Sequence, residues 1–102
     1  MKLKNYKIYK NPILQFIGLR FSRKINKIIV FELFNESRIN AIIDTFFVFY
    51  KINIVWLDKN KKVVDIRKNV KPFSFAIPKR RSKYIIEFTN PVNIKIGEEI
   101  KF

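Results

Sequence analysis

Apolar and polar residues alternate along much of this chain with the two-residue period of β-strands. The pattern is densest from Phe46 to Ile66, FFVFYKINIVWLDKNKKVVDI, where two apolar runs flank a charged turn. Thr45 to Tyr50 and Ile52 to Leu57 carry apolar residues on both phases, which predicts a central strand covered on both faces. Asp58-Lys59-Asn60-Lys61 has turn composition and Val63 to Ile66 returns, so a hairpin with a loop of about four or five residues is expected. Upstream, Ile28 to Phe34 sets Ile29, Phe31 and Leu33 against Val30 and Glu32, a half-buried strand closed by the turn cluster Asn35-Glu36-Ser37. Downstream, Tyr84 to Phe88 predicts a strand with Tyr84, Ile86 and Phe88 inward and Glu87 outward, ended by Asn90-Pro91.

Weaker patterns fill the remainder. Lys4 to Tyr9 reads as a short edge strand. Asn11-Pro12 opens a short helix whose Ile13, Leu14, Phe16, Ile17 and Phe21 form one apolar face and which Gly18 ends. Ile39 to Ile43 fits either a helical turn or an approach to a strand. Pro72 and Pro78 remove ladder donors between Asn69 and Ser82, so a surface loop is expected there. The tail NIKIGEEIKF alternates Ile94, Ile96, Ile100 and Phe102 around Gly97, as two short strands or one bulged strand. The elements add up to one mainly β (β-rich α+β) domain over 1–102, a two-sheet sandwich or partly open barrel with one short N-terminal helix.

Composition narrows the chemistry more than it names it. With 102 residues and 48% of them hydrophobic, the chain can bury one core. It has no Cys and no His, which removes disulfides, thiolate metal sites and imidazole catalysis from consideration, and no metal or cofactor is expected. Lys or another polar residue interrupts every apolar run before it reaches bilayer-spanning length, and the N-terminus lacks an export pattern. A cytoplasmic monomer with no membrane contact is the expectation. The net charge of +14 points to an anionic partner such as nucleic acid. Lys, Ile and Asn are so abundant, however, that part of this charge reads as AT-rich codon usage.

Several segments carry a resemblance to a known family. They are Gly18-Leu19-Arg20-Phe21, Thr45-Phe46-Phe47-Val48 followed by Ile52-Asn53-Ile54-Val55-Trp56-Leu57-Asp58, Lys62-Val63-Val64, Pro72, Tyr84-Ile85-Ile86-Glu87 and Gly97-Glu98. In this order and spacing, over roughly residues 15 to 102, the chain resembles the archaeal and bacterial family known as domain of unknown function 192. The resemblance implies a compact, mostly β fold with one short helix, and no reaction. The family usually has Pro then Asp where this chain has Lys51-Ile52-Asn53, His or Met-Lys-Asn near Ile43-Asp44, and Gly-Asp in place of Gly97-Glu98. If the family uses an acid at the first of these positions or an imidazole at the second, this chain cannot do the same chemistry with Asn53 and Asp44 as they stand.

Candidate sites are few. Lys79, Arg80, Arg81 and Lys83 form the densest basic cluster, with Lys59, Lys61, Lys62, Lys68 and Lys71 on nearby turns and Phe73 and Phe75 in the same loop. Interleaved cations and aromatics are what an anionic or nucleic-acid partner needs, while lysines along strand edges equally serve to block edge pairing. A ligand groove or carboxylate enzyme would draw on Asp44 and Asp58, with Arg38 or Lys51 as a partner for Asp44. No Ser has a His to activate it, and two Gly build no phosphate loop. Trp56 is expected in the core. Three readings follow: a non-enzymatic module contacting an anionic partner through basic loops, a carboxylate enzyme or small-ligand binder, and a structural or protein-partner domain with incidental charge and an exposed apolar patch. The residue inventory falls against catalysis.

Overall fold

The computed structural model describes residues 1–11 and 28–102. Seven strands run in chain order: β1 Tyr6–Tyr9, β2 Ile28–Ser37, β3 Ile43–Asp44, β4 Ile52–Leu57, β5 Val63–Val70, β6 Phe75–Ala76 and β7 Ser82–Phe88. Five of them form one open sheet in the order β1-β2-β7-β4-β5, and β3 pairs with β6 in a second, two-stranded sheet. β1 runs parallel to β2 and every other pairing is antiparallel. The sheet does not close into a barrel, since β1 and β5 are its two edges.

The alternation seen in the sequence sorts side chains to two cores, one on each face of the large sheet. On the first face Ile29, Phe31 and Leu33 of β2, Ile52, Ile54 and Trp56 of β4 and Ile85 of β7 pack under Ala41, Val48 and Ala76 from the β3–β6 layer. On the second, Val30, Val55, Leu57, Val63, Ile86 and Phe88 are covered by Leu3, Ile94 and Ile100 from the chain ends. β7 lies between β2 and β4, with Val30 and Val55 both opposite Ile86 and Phe31 and Trp56 both opposite Ile85. All six residues of β4 are buried, as its nearly continuous apolar character predicts. Trp56 is fully buried, and its indole nitrogen donates to Ala41 O at 2.8 Å, so its one polar atom is satisfied inside the core. Asn53, the polar exception in β4, donates to Asn90 O at 2.8 Å and accepts from Asn69 N at 3.0 Å.

Several expectations change. The helix expected from Asn11-Pro12 falls on 12–27, outside the described residues. Thr45 to Tyr50 is a turn, not a strand: Val48 N donates to Thr45 O at 3.2 Å, and only Val48 of its large apolar residues is buried. An apolar run without period does not distinguish strand from folded loop, and here the Thr45 backbone is engaged by 73–74 instead of a ladder. β2 is covered on both faces, not one, because the chain ends supply a second layer over Val30. Glu87, expected outward, is buried at 5% exposure, because its phase lies under the layer that covers Ile29 and Ile54, its cross-strand neighbours. The loop between the two prolines contains β6, and Ile96 is 68% exposed, since the tail makes only isolated bridges at Glu99 and Lys101 and does not hold a strand phase.

Candidate nucleic-acid interface

The β4–β5 hairpin closes as its composition predicts. Asp58 Oδ1 accepts Asn60 N at 2.8 Å and Lys62 N at 3.0 Å, and Lys61 takes the left-handed φ of 63° that the tight loop requires. This turn meets the far end of β2 and the start of β7, so the sequence-predicted Lys59, Arg81 and Lys83 converge. They line an open cleft of about 600 Å³ together with Phe34, Asn35 and Glu36.

The cleft is built by an irregularity in β2. Pairing with β7 shifts register between Glu32 and Ser37, and the strand bulges outward there. Lys83 Nζ holds the bulge by donating to Leu33 O and to Phe34 O, and it lies 3.9 Å from Glu32 Oε2. Glu36 Oε2 accepts Lys59 N at 2.8 Å and Arg81 Nη2 reaches Glu36 O at 3.4 Å. The result fixes Phe34 with 93% of its surface in solvent, beside three cations. Glu32 also bears on Tyr84 next door, whose phenol is pushed above its ordinary value first by burial and then by that carboxylate's charge.

The remaining predicted cations divide. Arg80 and Lys62 are exposed but do not line the cleft, and Lys79 donates its backbone amide to Asp65 Oδ2 at 2.9 Å. Lys61 turns away: its ammonium donates to Phe102 O at 2.9 Å and sits 4.1 Å from the centre of the Phe102 ring. Phe73 and Phe75, expected to interleave with Lys79 to Lys83, do not. Phe73 N bonds Thr45 O beyond the Val70 end of β5, whereas Lys79 bonds Asp65 toward its start, so the ribbon carries the phenylalanines away from the basic cluster. The aromatic ring beside these cations is Phe34 instead. Its signal was present in the sequence, since it shares the phase of Glu32, the polar side of that alternation, and stands next to a turn.

The alternative groove gains no shared geometry. Asp44 Oδ1 accepts Phe46 N at 3.2 Å within β3's own turn, Asp58 Oδ1 is committed to its hairpin, and Arg38 Nε donates to Pro78 O at 2.9 Å. None of the three lines this cleft or the smaller one of about 260 Å³ between Ile28, Phe88 and Pro91. Among the described residues no three acidic, His or Cys side chains cluster to hold a metal, and no helix is long and apolar enough to cross a membrane.

An open five-stranded sheet covered on both faces, with a two-stranded ribbon over one of them, defines the fold class. The same architecture occurs in a protein of unknown function from Novosphingobium aromaticivorans, which matches 79% of this chain and 59% of its own with a TM-score of 0.73 at 14% identity. The chain belongs to the DUF192 family, described as uncharacterized ACR, whose model matches residues 3–102. Archaeal relatives named UPF0127 protein include one from Thermococcus sibiricus, 39% identical over 84% of this chain and 58% of the relative. Another, from Pyrococcus furiosus, is 35% identical over 90% of this chain and 81% of the relative. The chain thus spans little more than half of the Thermococcus relative's length.

Proposed function

We propose that this chain is a non-enzymatic binding module that contacts single-stranded nucleic acid through the cleft between β2, the β4–β5 turn and β7. The observation that carries this reading is Phe34, held almost wholly in solvent by a lysine clamp and flanked by Lys59 and Arg81. An exposed ring offers a face to an unpaired base, and adjacent cations meet the phosphates on either side. The carboxylates support a binding role over a catalytic one: Asp58 and Asp65 each accept two backbone amides that hold loops in place.

Fluorescence anisotropy with a labelled single-stranded oligonucleotide tests the reading. Binding at low salt is expected to weaken steeply as salt rises, and Phe34→Ala to weaken it by about 5- to 100-fold, the worth of roughly one stacked base. Because Phe34 is exposed, the same variant leaves the melting temperature within about 2 to 4 °C of wild type. Absence of binding at low salt, or binding indifferent to Phe34, overturns the proposal.

A further inference from the structure

At the other end of β4 and β5 lies a second, separate surface. Phe46, Phe47, Phe49, Phe73 and Phe75 gather on loops 45–51 and 71–74 and the start of β6, each between 37% and 61% exposed. Their rings pack on one another with centroids 5.2 to 6.2 Å apart, and Phe73 alone meets three of them. The two loops are joined below by buried Thr45, whose carbonyl accepts both Phe73 N at 3.0 Å and Val48 N at 3.2 Å. Phe47 and Phe73 both hold left-handed backbone, at φ of 62° and 56°, a conformation that disfavours so large a side chain. Strain of this kind persists only where the surroundings impose it, and here it turns two rings outward together.

The charges around the patch select its occupant. Residues 45–51 and 67–75 contain Lys51, Arg67, Lys68 and Lys71 and no carboxylate, and the neighbouring Asp44 engages Phe46 N. An apolar plug ringed by cations fits a partner that is greasy within and anionic at its surface. Stacked bases fit less well, because the rings already pack on one another, three of their four contacts edge-to-face. We infer that this patch docks on an anionic lipid bilayer, the phenylalanines entering the boundary between headgroups and acyl chains while Lys51, Lys68 and Lys71 meet the lipid phosphates. One apolar anchor or one charge cluster binds a bilayer only marginally; the two together hold. Such contact needs no spanning segment, and it goes beyond the nucleic-acid reading without resting on it.

The test is flotation of the whole chain with phosphatidylcholine vesicles containing or lacking phosphatidylglycerol. Co-flotation is expected with the anionic vesicles, with part of it surviving high salt because insertion is not screened. The double variant F47N/F73N should weaken it by about tenfold or more, since two apolar anchors are withdrawn. Asn tolerates the left-handed backbone at both positions, and a wild-type circular dichroism spectrum of the variant at the assay temperature shows that loss of binding is not unfolding. Phe34→Ala should leave flotation unchanged, which separates this surface from the cleft. No flotation with anionic vesicles, flotation indifferent to F47N/F73N, or a loss in that variant of oligonucleotide binding or self-association in place of flotation overturns the inference.

Discussion

Thr45 is the joint on which the phenylalanine loops turn, and replacing it with Val isolates one atom. The hydroxyl is buried with its residue at 0% exposure; it donates to Lys71 O at 2.7 Å and accepts Ser74 N at 2.9 Å. Valine fills the same volume and supplies neither bond. Lys71 O keeps a partner, because Ser74 Oγ donates to it at 2.6 Å, but Ser74 N loses its acceptor. Losing one hydrogen bond of about 1 kcal/mol and stranding a partly buried donor at about 1 kcal/mol or more gives a destabilisation of about 2 kcal/mol. For a chain of this size that is a fall in Tm of roughly 8 to 16 °C. Urea unfolding followed by circular dichroism measures it, with the m-value unchanged from wild type. Ser74→Ala shares the network, so the double variant should cost less than the sum of the two by about 0.5 kcal/mol or more. A loss below about 0.5 kcal/mol for Thr45→Val, or strict additivity with Ser74→Ala, refutes the account of Thr45 as a buried latch.

Two further outcomes follow from the core and from the chain end. Trp56→Phe removes the indole donor from Ala41 O and opens space beneath the 38–42 turn, at an expected cost of about 1 to 3 kcal/mol in thermal unfolding; an unchanged Tm would mean that the turn does not depend on that bond. Glu98 is held below the ordinary glutamate range, first by the Lys95 amide and then by the chain's amino group, so its folded value lies under its unfolded one. Its stabilising contribution therefore stands in full above the unfolded value and is lost as pH falls through the folded one. Glu98→Gln should be less stable than wild type at neutral pH and equal to it in acid, and a gap that persists in acid would contradict this.

The strands that sequence made legible are those where one local signal was decisive. Ile52 to Leu57 had to lie inside a sheet because neither phase was polar, and Asp58 to Lys61 had to turn because Asp58 could cap its own loop amides. Legibility failed where the answer depended on what covers a face. Glu87 looked outward because a carboxylate on a strand ordinarily is, and only the β3–β6 layer over its neighbours makes that phase interior. The strand β6 hides between two prolines because two residues are too few to show a period. Thr45 to Tyr50 looked like strand because greasy residues usually bury, and these phenylalanines do not. The same holds for the site: the cations of the cleft were visible as a run, whereas Phe34 becomes a site residue only once the β2 bulge turns it out beside them.

Part of the positive charge has a use that neither codon bias nor a ligand accounts for. Arg38 Nε donates to Pro78 O and Arg67 Nη2 to Ile77 O, which ties the outer end of the β3–β6 ribbon to the body of the protein. Lys83 donates to Leu33 O and Phe34 O across the β2 bulge, and Lys61 to Phe102 O near the end of the chain. In each case a carbonyl that leaves the regular ladder finds its donor on a long cationic side chain, whose aliphatic stem covers apolar surface on the way. A fold with short strands, a bulge and an irregular tail has many such carbonyls, and lysine and arginine reach them where backbone amides cannot. Arg38, Arg67, Lys61 and Lys83 are thus engaged by the architecture, whereas Lys59 and Lys62 on the β4–β5 turn, Arg80 and Arg81 before β7, and Lys51, Lys68 and Lys71 toward the phenylalanine loops are exposed.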